Sequence, residues 1–302
     1  MHKKGLILVF STAVISGFSI FINKYSVSVI NPYIFTFLKN AIVALMLSSF
    51  IFLVKDRKLF AGLTKKQWLQ LLIIGLVGGS VPFLLFFKGL SLTSAAQGAF
   101  IHKTMFVYAA VLAAVFLKEK INKEFIIGAL LLLLGSLISL KALPTSFGKG
   151  DFLVFLATIL WAIENLISKH VLKELAGRTV AWGRMFFGSF FILIYLGATG
   201  QLGLFGSLNA GQIGWTLIAS VLLFGYVFTW YSGLKHVPLS IATAILIVGS
   251  PITTFLSALS GAKIGFNEVF SAFLILIGAV FVLGTRYLWQ QIKTIIQAQL
   301  LA

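Results

Sequence analysis

The sequence predicts an all-α membrane protein with ten transmembrane helices, arranged as two inverted five-helix repeats around a central cavity. Three observations predict this fold class: an apolar composition, ten long apolar runs, and an internal duplication. Of the 302 residues, 59% are hydrophobic and only 10% are charged, and the mean hydropathy is +1.04. This composition exceeds what a soluble core of the same length can bury.

The apolar runs are long enough to cross a bilayer. A hydrocarbon core about 30 Å thick needs about 20 apolar residues per helix. This criterion predicts spans at residues 5–22, 32–54, 67–87, 94–117, 123–141, 151–169, 179–199, 212–233, 238–261 and 267–286. The runs are continuous, whereas the strands of a membrane barrel alternate. The first run lacks a small-residue cleavage site, so we expect a retained span and not a signal peptide.

The chain also matches itself at a long offset. Residues 145 positions apart correspond in the first spans, and residues 144 positions apart correspond further on. The matched pairs are Gly5 with Gly150, Lys24 with Lys169, Lys39 with Arg184, Gly89 with Gly233, and Glu124 with Glu268. Soluble solenoids and propellers have periods of about 20 to 50 residues. We therefore expect a first repeat over residues 1–145, a second over 146–288, and an amphipathic cytoplasmic tail over 289–302.

The basic residues predict the orientation, because cytoplasmic loops collect lysine and arginine. A cytoplasmic N-terminus leaves few basic residues outside, at Lys24, Lys88, Lys141, Lys149 and Lys263, and places the basic clusters around residues 55–66, 118–123 and 169–178 inside. Both termini are thus predicted to be cytoplasmic in a multi-pass protein of the cell (inner) membrane. Since five spans form each half, the second half crosses the bilayer in the opposite sense.

Inverted repeats are typical of transporters, because two similar halves can exchange conformations around one site. A membrane receptor or scaffold is the non-transport alternative. We expect no enzymatic activity, no cofactor and no metal, since the sequence has no paired intramembrane carboxylates and no HExxH motif. The net charge of +17 lies mostly in short loops and indicates no nucleic-acid partner.

One acidic residue, Glu164, lies inside a predicted span. Ionisable residues at this depth are costly and usually functional. Helical spacing puts Glu164 on the same face as Trp161, Asn165 and Ser168. A carboxylate and an amide facing lipid would be expensive, so this face is predicted to line the central cavity and to contact the substrate.

Arg184 is the cation nearest to Glu164 in depth. Both residues lie about five positions inside their spans, or roughly 8 Å from the cytoplasmic boundary, so they could form an ion pair. Arg184 is a candidate substrate-binding residue, and a structural bridge to Glu164 or a snorkelling arginine is the alternative. The repeat-related Lys39 has Ser19 where Arg184 has Glu164.

Lys103 lies deeper still, about ten residues into the fourth predicted span. An ammonium there must lose its charge or find an anion. We predict that Lys39 and Lys103 hold an anionic group of the substrate. Backbone carbonyls or water are the alternative partners. The neighbouring His102 lies about 100° away around the helix, and packing is favoured over a proton relay for it.

Aromatic residues and helix breakers suggest where the cavity wall and the gates lie. Tyr226 and Trp230 share one side of the eighth span and are predicted to contact the substrate, with ordinary packing or an interfacial belt as the alternative. Pro82, with two preceding glycines, interrupts the third span, and Pro251 lies inside the ninth. Kinks at these prolines are candidate gates, and His102 is a candidate for coupling.

Three segments resemble a known family. They are GLSLTSAAQGAFIHKTMFVYAAVLAAVFLKEKINKEFIIGALLLLLGSLI, GDFLVFLATILWAIENLISKHVL and PITTFLSAL. Together they are similar to the drug/metabolite transporter superfamily, in particular its EamA-type ten-helix branch. The usual proline of the fourth span is replaced near Phe106, which argues against unwinding of that helix. The acid usual at the end of the ninth span is Lys263.

The combined expectation is a secondary transporter that moves a small polar or amphipathic metabolite by alternating access. The expected substrate is an amino acid or an organic anion, and a nucleotide-sugar or phosphorylated-metabolite exchanger is the alternative. The partners are the small-molecule substrate and the lipid bilayer, with a proton or a counter-substrate as coupling candidates. The chain is expected to act as a monomer or a homodimer.

Overall fold

A computed structural model of the chain describes residues 3–54, 60, 62–93, 95–140 and 147–284. Most of these residues are helical, and none of them lies in a strand. The α-helices are α1 Lys3–Val29, α2 Pro32–Leu53, α3 Lys65–Gly79, α4 Val81–Leu90, α5 Ala95–Lys103, α6 Met105–Phe116, α7 Lys123–Ile138, α8 Lys149–Val171, α9 Gly177–Ala198, α10 Ala210–Leu234, α11 Leu239–Ile245, α12 Gly249–Leu259 and α13 Phe266–Leu283.

Ten spans follow from these helices, because three spans are each built from two shorter pieces. The third span joins α3 and α4, the fourth joins α5 and α6, and the ninth joins α11 and α12 through a 3₁₀ turn at Leu246–Val248. Within the described residues, nine spans are long and apolar enough to cross a membrane. The fifth span, α7, has 16 residues. The predicted fold class is confirmed.

Several predicted boundaries differ from the structure. The first span was predicted to end at residue 22, but α1 continues to Val29. The fifth was predicted to reach residue 141, but α7 ends at Ile138, where Ser139 forms a helix cap. The predicted tail at 289–302 lies outside the described residues. The extra turns of α1 lie beyond the apolar run, which was the only signal used to end the span.

The fourth span is interrupted at Thr104, which contradicts the expectation of a continuous helix. No proline is needed for this break. The Thr104 hydroxyl donates to the Ile101 carbonyl at 2.6 Å, and its amide bonds to the carbonyls of both Phe100 and Ile101. These bonds tighten one turn and separate Lys103, the last residue of α5, from Met105, the first of α6.

The duplication in the sequence recurs as equivalent local structure. Thr64 and Gln67 cap the third span reciprocally, with backbone amides bonded to both side chains. Asn209 and Gln212, 145 positions later, form the same capping box at the start of the eighth span. The third and eighth spans therefore begin at equivalent positions of the two repeats.

Packing between the halves follows the same symmetry. The first span packs against the eighth, and the sixth packs correspondingly against the third. Each contact is made between glycines: Gly5 meets Gly233, and Gly150 meets Gly89. The second and seventh spans, the fourth and ninth, and the fifth and tenth also pack in pairs. Small residues allow helix backbones to approach closely inside a membrane.

We expect Gly150→Ala to destabilise the protein. A Cβ at Gly150 would lie 2.7 Å from the Leu92 carbonyl carbon and 2.8 Å from the Gly89 oxygen. Both neighbours are backbone atoms that cannot move independently, so overpacking should cost about 1 to 3 kcal/mol. Thermal unfolding of the purified protein measures this loss.

Gly214→Ala is the matched control for this prediction. A Cβ at Gly214 meets nothing within 4 Å, and alanine favours a helix more than glycine does. The melting temperature of this variant should stay constant or rise. Equal melting temperatures for the two variants would contradict the close packing of the sixth span on the third at Gly150.

Candidate functional site

The break in the third span supplies the acceptor around which the site is built. Ser80 separates α3 from α4 with φ −133° and ψ −74°. Pro82 has no amide hydrogen, so the carbonyl of Gly78, four residues earlier, has no helical donor from it. The Trp161 indole donates to this oxygen at 3.1 Å, and Arg184 Nη2 donates to it at 3.2 Å. The sixth and seventh spans are thereby joined to the break.

The two glycines of the break are required by close contacts. A Cβ on Gly78 would overlap the side chain of Glu164, and one on Gly79 would lie 2.9 Å from Gly188 Cα. The Gly79 carbonyl accepts a hydrogen bond from Asn40 Nδ2 at 3.0 Å. The second span is therefore attached to the same break as the sixth and seventh.

Glu164 is fully buried against this break, with 0% exposure. One carboxylate oxygen, Oε1, accepts hydrogen bonds from the Tyr231 hydroxyl at 2.7 Å and the Ser168 hydroxyl at 2.5 Å. The structure also buries Trp161 and Asn165, the other members of the predicted polar face. The carboxylate thus lies inside the protein wall and is bonded to the eighth span through Tyr231.

Arg184 belongs to the same network but does not bond to Glu164 directly. Its guanidinium donates to Gly78 and lies 6.0 Å from the centre of the Phe83 ring. It interacts electrostatically with Glu164 and with the hydroxyls of Tyr231 and Tyr226. Glu164 and Arg184 therefore do not form the direct ion pair that their similar depth suggested. Among the described residues, Tyr231 and Ser168 donate the hydrogen bonds that the carboxylate receives.

The predicted aromatic residues of the eighth span extend this network. The Trp230 indole donates to Asn165 Oδ1 at 3.0 Å, and Asn165 Nδ2 donates to the Trp161 carbonyl at 2.9 Å. Tyr226 stacks on Trp230 with ring centres 6.4 Å apart. Trp230 is 1% exposed, whereas Tyr226 is partly exposed. Of the two residues, Tyr226 is therefore the less buried.

His102 lies at the edge of an aromatic cluster. Its ring is 4.8 Å from Trp161 and 5.3 Å from Phe86, both in edge-to-face geometry. Phe83 also contacts Trp161 at 5.3 Å. These contacts fit the packing role that the sequence favoured for His102.

The two lysines stand apart from the Glu164 network. Lys39 is 5% exposed, and its ammonium lies 4.8 Å from the centre of the Phe35 ring. Lys103 is partly exposed and follows His102. In the part of the chain that the structure describes, no carboxylate bonds or pairs with either lysine. Both lysines nevertheless adjoin residues tied to the third-span break, namely Asn40 and His102.

Pro251 lies away from this cluster, in the ninth span. It follows the 3₁₀ turn at Leu246–Val248 and cannot donate to the carbonyl of Ile247. Beside it, Gly249 packs on the first span, and Thr253 donates to the Gly17 carbonyl at 2.9 Å. The structure thus shows a distorted helix at Pro251, as at Pro82, and a gating role for either proline stays a prediction.

The structure gathers most of the predicted site residues into one network and adds several members. Glu164, Arg184, Asn165 and the aromatic residues meet across the sixth, seventh and eighth spans. Asn40, which is not among the predicted site residues, anchors the second span. The signal for the shared acceptor was present, because Pro82 lies four residues after Gly78 and frees its carbonyl.

Arg184→Met should destabilise the protein far more than Lys39→Met. Removing Arg184 leaves the buried carboxylate of Glu164 uncompensated, which costs about 3 to 5 kcal/mol. Lys39 compensates no acid among the described residues, so a methionine of similar length should preserve or raise the melting temperature. Thermal unfolding of both purified variants checks the difference.

A double variant provides the control. Adding Glu164→Gln to Arg184→Met removes the stranded charge and should recover part of the lost stability. If Lys39→Met is as unstable as Arg184→Met, the assignment of Arg184 to a structural charge pair is wrong.

Comparison with known proteins agrees with this architecture. The model of the EamA-like transporter family matches residues 3–141 and again residues 148–284. An uncharacterized transporter of Bacillus subtilis, YyaM, is 23% identical over 292 residues, covering 92% of this chain and 93% of the relative. The riboflavin transporter ImpX of Fusobacterium nucleatum is 25% identical over 261 residues, covering 80% of this chain and 84% of the relative.

A crystal structure of a similar protein shows the same fold. It aligns with a TM-score of 0.80 at 15% identity and covers 93% of this chain and 98% of its own. The family match spans both halves, and the relatives are named as transporters and not as enzymes. The chain is therefore a multi-pass membrane protein that belongs to the EamA-like transporter family, within the drug/metabolite transporter superfamily.

Proposed function

We propose that this transporter moves a small organic anion, and that Lys39 and Lys103 bind its anionic group. The observation that carries the proposal is the unequal neutralisation of the buried cations. Arg184 has Glu164 in its network, whereas neither lysine has an acidic partner among the described residues. Two uncompensated ammonium groups in an apolar protein interior favour the entry of an anion.

The position of Glu164 favours one of two kinds of anion. An amino acid would use a buried acid to hold its amine. Glu164 is 0% exposed and already bonded to Tyr231 and Ser168. This arrangement supports an organic anion with no amine better than an amino acid.

A phosphorylated metabolite or nucleotide sugar is the second candidate, because the same two lysines suit a phosphate group. The name of ImpX adds flavins to the compounds worth testing. A planar ring system would find a stacking surface in Tyr226, which already stacks on Trp230. Organic anions and phosphorylated metabolites both carry an anionic group, and they differ in the size of the group attached to it.

Alternating access between the halves 1–145 and 146–288 is the proposed mechanism. Its support is the repetition of caps and glycine contacts in both halves, because similar halves can exchange conformations. The distribution of lysine and arginine supports cytoplasmic termini in the cell membrane. Proton coupling, counter-substrate exchange and dimerisation stay predictions.

A thermal-shift screen of the purified protein tests the substrate class. The panel contains dicarboxylates, monocarboxylates, amino acids, sugar phosphates, nucleotide sugars and riboflavin. We expect dicarboxylates or monocarboxylates to raise the melting temperature, because a ligand that binds only the folded state stabilises it. Stabilisation by amino acids alone would reject the organic-anion proposal.

The lysine variants test the binding residues. Lys39→Met and Lys103→Met should each weaken binding of the best anion at least about tenfold, since each removes a charged hydrogen-bond donor. Lys88→Met is the matched control, because Lys88 is exposed at the end of the third span. Isothermal titration supplies the affinities. Unchanged affinity in both site variants would contradict the assignment.

A further inference from the structure

A single carboxylate joins the end of the fourth span to the start of the ninth. Glu119 Oε1 accepts a hydrogen bond from the Leu239 amide at 2.6 Å. Glu119 Oε2 accepts bonds from the Ser240 amide at 3.0 Å and the Ser240 hydroxyl at 2.6 Å. The first amides of a helix have no helical acceptor, so a carboxylate placed there stabilises the helix end. Here the carboxylate comes from a different span.

Other bonds hold the same short loop between the eighth and ninth spans. The Lys169 ammonium donates to the Leu234 carbonyl at 2.5 Å and the Val237 carbonyl at 2.7 Å. Lys235 donates to the Leu175 carbonyl at 3.0 Å. Lys169 also lies close enough to Glu119 to interact with its charge. The loop is thus fixed to the fourth span on one side and to the sixth on the other.

The corresponding position at the opposite end of the molecule carries the opposite charge. An offset of 144 residues relates Glu119 to Lys263, and Lys263 is exposed. An ammonium has no lone pair to accept a bond from a backbone amide. Lys263 therefore cannot cap the start of the fourth span in the way that Glu119 caps the ninth.

Residues at the Glu119 end of the protein are more deeply buried than their repeat-related residues at the Lys263 end. Thr243, in the first turns of the ninth span, is 1% exposed, whereas its repeat-related residue Ala99 is exposed. Tyr231, near the end of the eighth span, is 0% exposed, whereas the related Phe87 of the third span is partly exposed. The end that contains Glu119 is the more closely packed of the two.

We propose that Glu119 is a gating residue: its bonds to Leu239 and Ser240 hold the pathway closed at this end. Lys263 cannot supply the equivalent bond at the other end. The resting protein therefore favours the conformation closed at the Glu119 end, which the basic loops predict to be cytoplasmic. This inference deepens the proposed transport function by naming what holds one of its two conformations.

Cysteine labelling tests the gate without a known substrate. The chain contains no cysteine, so single reporters can be introduced as Thr243→Cys for the Glu119 end and Ala99→Cys for the other. The readout is the rate at which a soluble maleimide modifies each reporter in lipid nanodiscs. Glu119→Gln should accelerate labelling at position 243 about tenfold, since a charged hydrogen-bond acceptor is lost, and should slow labelling at position 99.

Glu174→Gln is the matched control, because Glu174 lies at the same end and its carboxylate accepts a hydrogen bond from the Gln67 side chain. It should leave both labelling rates unchanged. Lys263→Glu is the reciprocal variant, since it introduces an acceptor at the opposite end. We expect it to slow labelling at position 99 and to accelerate labelling at position 243.

The outcomes separate the gate from the substrate proposal. An unchanged rate at position 243 in a helical, monodisperse Glu119→Gln protein overturns the gate. If that variant does not fold, an unchanged rate in Lys263→Glu overturns it instead. Failure of every anion in the thermal-shift screen would reject the substrate class and leave the labelling result intact.

Discussion

The carbonyl of Gly78 is the group on which the arrangement of the site depends. Pro82 cannot donate to it, and an unsatisfied carbonyl at membrane depth costs several kcal/mol. Trp161 and Arg184 satisfy it from two different spans. The break can therefore persist only while the sixth and seventh spans are docked, and their docking in turn fixes where the network of Glu164 lies. A local defect in one helix thus becomes the reason that three helices meet.

The same arrangement separates a buried cation that an acid balances from one that no described acid balances. Arg184 bonds to the break, and the buried acid Glu164 balances its charge through Tyr231. Lys39 occupies the repeat-related position but has no acid that corresponds to Glu164. An exact duplication would give two equivalent sites. Because the first half has Ser19 where the second half has Glu164, the charge of Lys39 has no acid at the corresponding position to balance it. An anion is the natural complement of that charge.

The sequence predicted the helices and the duplication because both depend on local apolar runs and on a long offset that can be read directly. It also placed Glu164 and Arg184 at similar depth. It could not predict that Tyr231 would mediate between them, because that contact depends on how the eighth span rotates against the sixth. The break at Thr104 could not be predicted either, because threonine bonds to its own helix in many contexts without breaking it.

The short α7 helix has a consequence for the surrounding lipid. Its 16 residues span roughly 24 Å at 1.5 Å per residue, and its partner α13 has only 18. A typical hydrocarbon core is about 30 Å thick. This pair therefore imposes a hydrophobic mismatch on one flank of the protein, and the bilayer beside it must thin or its polar flanking residues must snorkel. Thin membranes should accommodate this flank with the least distortion.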